Sequence, residues 1–106
     1  MLIEELKGKA LDEFFEGLLT LESIEECYTF FDDLCTVNEI KTLLQRFQVA
    51  KMLYNNNTYS KIEAEAGAST ATISRVKRSL YHGNDSYELM FGRMRDKPYS
   101  GPRHKE

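Results

Sequence analysis

The chain of 106 residues contains no tryptophan, only two prolines and only two cysteines. Both prolines fall within residues 95–106, where the hydrophobic periodicity also stops, so this stretch is expected to be a flexible tail. The cysteines, Cys27 and Cys35, form no CxxC pair and no Cys/His cluster, which excludes a structural zinc site. Their apolar surroundings point to reduced, buried thiols in a cytoplasmic protein. No apolar run lasts more than a few residues, which excludes a membrane span. The opening MLIEELKGKALDEFF lacks the basic and apolar regions of a secretory signal. Alternating strand patterns, internal repeats and phosphate loops are missing too. No nucleophile stands beside a base, so an enzyme is not expected.

One further absence is local. Residues 66–84 contain no Asp or Glu. The whole chain has a net charge of −3, but the sign is unevenly spread. Residues 1–40 hold eleven acids against two Lys, a balance of −9, and residues 41–82 hold seven bases against two Glu, a balance of +5. An acidic chain with a basic middle is compatible with nucleic acid, because binding follows the local patch rather than the sum.

What is present is helical periodicity. Leu11, Phe14, Phe15, Leu18 and Leu19 make one apolar stripe, and Ile24, Cys27, Tyr28, Phe31, Leu34 and Cys35 repeat it behind Ser23 as N-cap. Thr36 and Glu39 have capping-box spacing ahead of a third helix that carries Ile40 to Leu53 and expects burial on more than one side. Asn55–Asn56–Asn57 ends it. Short helices are predicted at roughly 59–66 and 70–80, and a sixth over 85–94. The reading is all-α, a single domain over 1–94. It has more apolar stripe than its short helices cover, which suggests a dimer with interleaved helices.

Residues 58–83, TYSKIEAEAGASTATISRVKRSLYHG, have the pattern of a helix-turn-helix. Gly67 suits the left-handed position of the turn. Ile62, Ala66 and Ala68 face Ile73, Val76 and Leu80, and Ser69 or Thr70 caps the second helix. On a helical wheel Ala71, Ser74, Arg75 and Arg78 lie opposite Ile73. That face would enter the major groove. Arg75 and Arg78 can each pair with guanine, Ala71 can touch a thymine methyl, and Ser69, Thr70, Thr72 and Ser74 can reach phosphate or base edges. Lys61 and Lys77 suit the backbone. An ordinary helical hairpin with a solvated basic face would share the pattern.

LCTVNEIKTLLQRFQVAKMLYNNNTYSKIEAEAGASTATISRVKRSL, with GASTATISR its most specific part, resembles the tryptophan repressor family, in particular its Gram-positive YerC/YecD type. The resemblance spans roughly residues 10–92. It implies a six-helix, intertwined homodimer with two reading helices one DNA turn apart, and so a transcriptional regulator, by the family's name a repressor, on a pseudo-palindromic duplex site. It also implies a ligand pocket at Thr36, Arg46, Thr72, Arg75 and Ser79. The match of Arg46 requires a link one residue shorter at the Asn run; without it Gln45 would align. L-Tryptophan is disfavoured as the cofactor, because Val76 stands where the repressor has a glycine against the indole. An alternative is a protein-interaction module that uses the acidic, aromatic-rich helices of residues 11–35 and keeps the helix-turn-helix as a relic. Another is a small-molecule sensor without DNA binding. Acidic pairs such as Glu4–Glu5, Glu25–Glu26 and Asp32–Asp33 read as solvated surface rather than metal ligands.

Overall fold

The computed structural model describes residues 2–95 and Gly101. The tail expected over 95–106 lies outside the described residues apart from Arg95 and Gly101. All six expected helices form, and the described residues contain no strand. The chain divides into two compact units, one running to Cys35 and one starting at Thr36.

The first unit opens with a short 3-10 turn, Leu2–Leu6, which no sequence pattern announced. Helices α1 (Lys9–Leu18) and α2 (Ile24–Leu34) follow. The Glu26 N–H donates to Ser23 Oγ at 3.0 Å, and the Glu26 carboxylate accepts from the Glu22 N–H at 3.1 Å, so the start of α2 is closed by its own side chains. The Phe14 and Phe30 rings bring α1 and α2 together, with centroids 6.5 Å apart. Neither helix has a buried residue. Cys27 is exposed and Cys35 half-buried, both as free thiols, which corrects the expectation of buried cysteines. The physical reason is that the apolar stripe of α2 has no full cover within one chain.

The second unit contains every buried side chain of the described residues. Its long helix α3 (Val37–Tyr54) starts with the capping box read from the sequence. The Glu39 N–H donates to Thr36 Oγ1 at 3.2 Å, and the Thr36 N–H donates to the Glu39 carboxylate at 2.8 Å. The Thr36 backbone N–H, followed by the Thr36 side chain, holds the Glu39 carboxyl below the usual glutamate range. Asn56, at φ 62°, takes the left-handed conformation that ends α3, and Asn57 Nδ2 donates to the Met52 carbonyl at 2.9 Å. Then come α4 (Tyr59–Ala66), capped by Thr58, α5 (Thr70–His82) and α6 (Ser86–Arg95).

The core joins the end of α3 to the other three helices. Val49, Ala50 and Leu53 of α3 pack with Ile62, Ala68, Ile73, Val76 and Phe91. Burying Val49, Ile62 and Ile73 completely contributes about 1.5–3 kcal/mol each. Phe91 anchors α6 among the rings of Phe47, Tyr54 and Tyr87, at 5.5, 5.2 and 6.0 Å. Burial of α3 is confined to its last turns, since Leu43 and Leu44 each keep 51% exposure.

Candidate nucleic-acid interface

Helices α4 and α5 form the helix-turn-helix. Thr58 Oγ1 accepts the Lys61 N–H at 3.2 Å and starts α4. Gly67, at φ 64°, ends it in the left-handed conformation, which relieves the turn of a Cβ penalty. Of the two candidate caps for α5 the structure uses Ser69, whose Oγ accepts the Thr72 N–H at 3.1 Å and donates to Thr72 Oγ1 at 3.1 Å. Thr70 has another partner: its hydroxyl donates to the Glu63 carboxylate at 2.6 Å and ties the start of α5 to α4. Behind the turn Ile62 and Ile73 are fully buried and Ala68 nearly so, so the angle between the helices is set by close packing.

The turn is also held from α3. Gln45 Nε2 lies 3.1 Å from the Gly67 carbonyl and 3.3 Å from the Ala66 carbonyl. Carbonyls at a helix end lack intrahelical donors, and this amide supplies one to both. Sequence reasoning considered Gln45 only as an alternative match to Arg46.

The outward face of α5 is open to solvent. Ser69, Thr70, Ala71, Ser74, Arg75, Lys77 and Arg78 are exposed, Thr72 is half-exposed, and Lys61 is exposed on α4. No described carboxylate pairs with these bases. Arg75 and Arg78, however, line different clefts.

The inner cleft, of about 290 Å³, runs between α3, α5 and α6. Arg46, Thr72, Arg75 and Ser79, four of the five residues expected of a ligand pocket, line it together, and Val76 lines it too. Gln45, Thr42 and Tyr87 complete it, the last two missed from sequence. Two guanidinium groups and no carboxylate make it suited to an anion. Ser79 Oγ is turned toward its own helix and donates to the Arg75 carbonyl at 3.4 Å. Thr36 is not among the lining residues; its hydroxyl is occupied in the α3 cap. The outer cleft, of about 310 Å³, is lined by Arg78 with Tyr59, Ser74, Lys77, Tyr81 and His82. Lys77 Nζ stands 5.4 Å from the centre of the Tyr59 ring.

At the end of α5, a Cβ on Gly83 would collide with the Ser79 carbonyl oxygen. Only glycine fits there without a shift of the backbone. Among the described residues no three His, Cys, Asp or Glu side chains gather as metal ligands, and no helix is long and apolar enough to cross a membrane.

Residues 9–95 match the family described as Trp repressor protein. The uncharacterized protein YerC of Bacillus subtilis strain 168 is 59% identical over 96 residues, which cover 91% of this chain and 92% of YerC. A crystal structure of a candidate Trp repressor from Staphylococcus aureus superposes with a TM-score of 0.87 at 63% identity, over 93% of this chain and 99% of that one. A TrpR-like protein from Eubacterium eligens gives 0.82 at 52% identity, over 85% and 93%.

Proposed function

The chain belongs to the Trp repressor protein family, a family of DNA-binding regulators and not of enzymes, and on that premise we propose that it is a cytoplasmic, homodimeric regulator of transcription, a repressor, that reads duplex DNA with α5. The observation that carries this reading is the exposed, acid-free face of α5 backed by a fully buried Ile62–Ile73 contact. A rigid helix with bases on its outer side suits the major groove, whose electrostatic attraction and base edges call for such side chains. Ser69 to Ser74 enter first, the helix N-terminus bringing its partial positive charge toward phosphate. Arg75 and Arg78 supply specificity, and Lys61 and Lys77 contact the backbone.

The uncovered stripes of α1 and α2 support the homodimer. Leu19 is 85% and Tyr28 61% exposed, which is costly for a lone chain and ordinary at a symmetric interface. The inner cleft is the effector site of this reading. Val76 lines it where the resemblance places an indole, which disfavours L-tryptophan as the effector.

The test is selection of bound fragments from a random duplex pool, with and without L-tryptophan. Arg75→Ala/Arg78→Ala serves as control. A palindromic motif that is enriched without tryptophan and lost in the control is expected. No enrichment in either condition would overturn the reading and favour an interaction module built on α1 and α2.

A further inference from the structure

The outer cleft on α5 holds residues that the reading of bases leaves unused. Ser74, Lys77, Arg78, Tyr81 and His82 fall at i, i+3, i+4, i+7 and i+8, so they form one stripe, and Tyr59 of α4 stands beside it. Three of these six side chains can carry positive charge, three have a hydroxyl, and none is a carboxylate. Glu63, one turn after Tyr59, is engaged by Thr70.

The stripe runs too far along α5 to face bases throughout. The major groove is roughly 8.5 Å deep and α-helix rise is about 1.5 Å per residue, so a helix that enters by its N-terminal end inserts about six residues. On α5 that covers Ser69 to Ser74, and the long side chains of Arg75 and Arg78 reach base edges from the next turn. Lys77, Tyr81 and His82 then stand at the lip of the groove, at the level of the sugar–phosphate chain. The C-terminal end of a helix carries partial negative charge and would repel an anion by itself. Lys77 and Arg78 offset that charge. The half-buried Tyr59 ring, 5.4 Å from Lys77 Nζ, restrains the ammonium before any ligand arrives and so reduces the entropy lost on binding.

We propose that this cleft seats one backbone phosphate of the duplex, with Lys77 as its charge, Tyr81 and His82 as hydrogen-bond donors, and Tyr59 as the positioning residue for Lys77. The proposal rests on the DNA reading above. It adds Tyr59, Tyr81 and His82 to the interface, and it makes Lys77, Tyr81 and His82 a sequence-independent clamp beside the base-reading Arg75 and Arg78.

The test measures binding of the full chain to a duplex bearing the selected motif and to a scrambled duplex, over a range of KCl. Variants are Lys77→Gln, Tyr81→Phe and His82→Gln, all at exposed positions, so folding does not hinge on them. Each is expected to weaken both duplexes by the same factor, about three- to tenfold for loss of one hydrogen bond or ion contact. Lys77→Gln should also reduce the salt slope by about 0.9. Methylphosphonate placed along each strand removes one phosphate charge at a time. One position per half-site should weaken the native chain and leave Lys77→Gln/Tyr81→Phe unaffected. Losses confined to the motif duplex would mean that the cleft reads bases, which overturns the proposal. Unchanged affinity for both duplexes would place the cleft off the DNA and overturn it while the DNA reading stands. Saturation of the cleft by inorganic phosphate without competition against DNA would reassign it to a free anion and equally overturn it. If the native chain binds neither duplex, the DNA reading fails and takes this proposal with it.

Discussion

The two units of the chain carry apolar stripes of similar quality but use them differently. From Thr36 onward, the stripes of α3 to α6 meet one another and bury eight side chains. Up to Cys35, α1 and α2 present Phe14, Phe15, Tyr28 and Leu34 at equally regular spacing and bury none of them completely. Periodicity therefore specifies which face of a helix is apolar. Whether that face is covered from within the same chain depends on the neighbours available. The charges divide in the same way, with acids crowding the unit whose apolar face is open and bases the unit whose core is closed. In the regulator proposed above, the first unit keeps its charge away from DNA and its apolar face for a second copy.

The contrast breaks most readily at Ile73. Ile73→Ala removes a fully buried side chain from the centre of the second unit and should cost about 2–5 kcal/mol, read as a large fall in Tm. Leu19→Ala removes a side chain that is 85% exposed, and at high dilution it should change Tm by less than about 0.5 kcal/mol equivalent. The same substitution should weaken the concentration dependence of Tm that a dimer shows. A large effect of Leu19→Ala at every concentration would mean that the first unit has a closed core of its own. Next in size is Gly83→Ala. The new methyl group meets the Ser79 carbonyl, so the end of α5 must shift, at about 1–3 kcal/mol by thermal unfolding.

Gln45→Leu sharpens the comparison within the second unit. It leaves the Ala66 and Gly67 carbonyls without their donor, at a cost of about 1–2 kcal/mol. Because the carbonyls belong to the turn, the larger consequence should be on DNA. Affinity for the selected motif should fall more than affinity for a scrambled duplex. Equal losses would show that Gln45 only stabilises the fold.

Gln45 also marks the limit of what could be read beforehand. Caps and turns were legible because each is a local contract between residues a few positions apart, Ser23 with Glu26, Thr36 with Glu39 and Ser69 with Thr72, or a property of one residue, as for Gly67 at its positive φ. The core face of α5 was legible from its wheel. The Gln45 bridge spans more than twenty residues and has no periodic signature. The division of Arg75 and Arg78 between two clefts was hidden for the same reason. One helix surface shows both pointing outward, and only the flanking α3, α4 and α6 decide which cleft each one lines. The buried state expected of Cys27 failed because burial depends on a cover that the spacing of one helix does not contain.

The smallest expected effect lies where the two units meet in sequence. Thr36 and Glu39 close the start of α3 by two reciprocal bonds, and the backbone N–H of Thr36, followed by its side chain, holds the Glu39 carboxyl below its ordinary range. A group whose value falls on folding binds its proton more weakly in the folded chain. Its contribution is therefore complete above the unfolded value and disappears as pH falls through the lowered folded value. Acidification from neutral pH should thus loosen the first turn of α3 only in the acid range, below the ordinary glutamate range. Glu39→Gln should remove that dependence while keeping an acceptor for the Thr36 N–H. The carboxyl is fully exposed, so the change in global stability should be slight and the measurement must be local. Protection of the Thr36 and Glu39 amides against exchange, corrected for the intrinsic pH dependence of exchange, should fall with pH in the native chain and stay comparatively flat in Glu39→Gln. Parallel behaviour of the two chains would mean that the capping box stabilises α3 through the threonine hydroxyl alone.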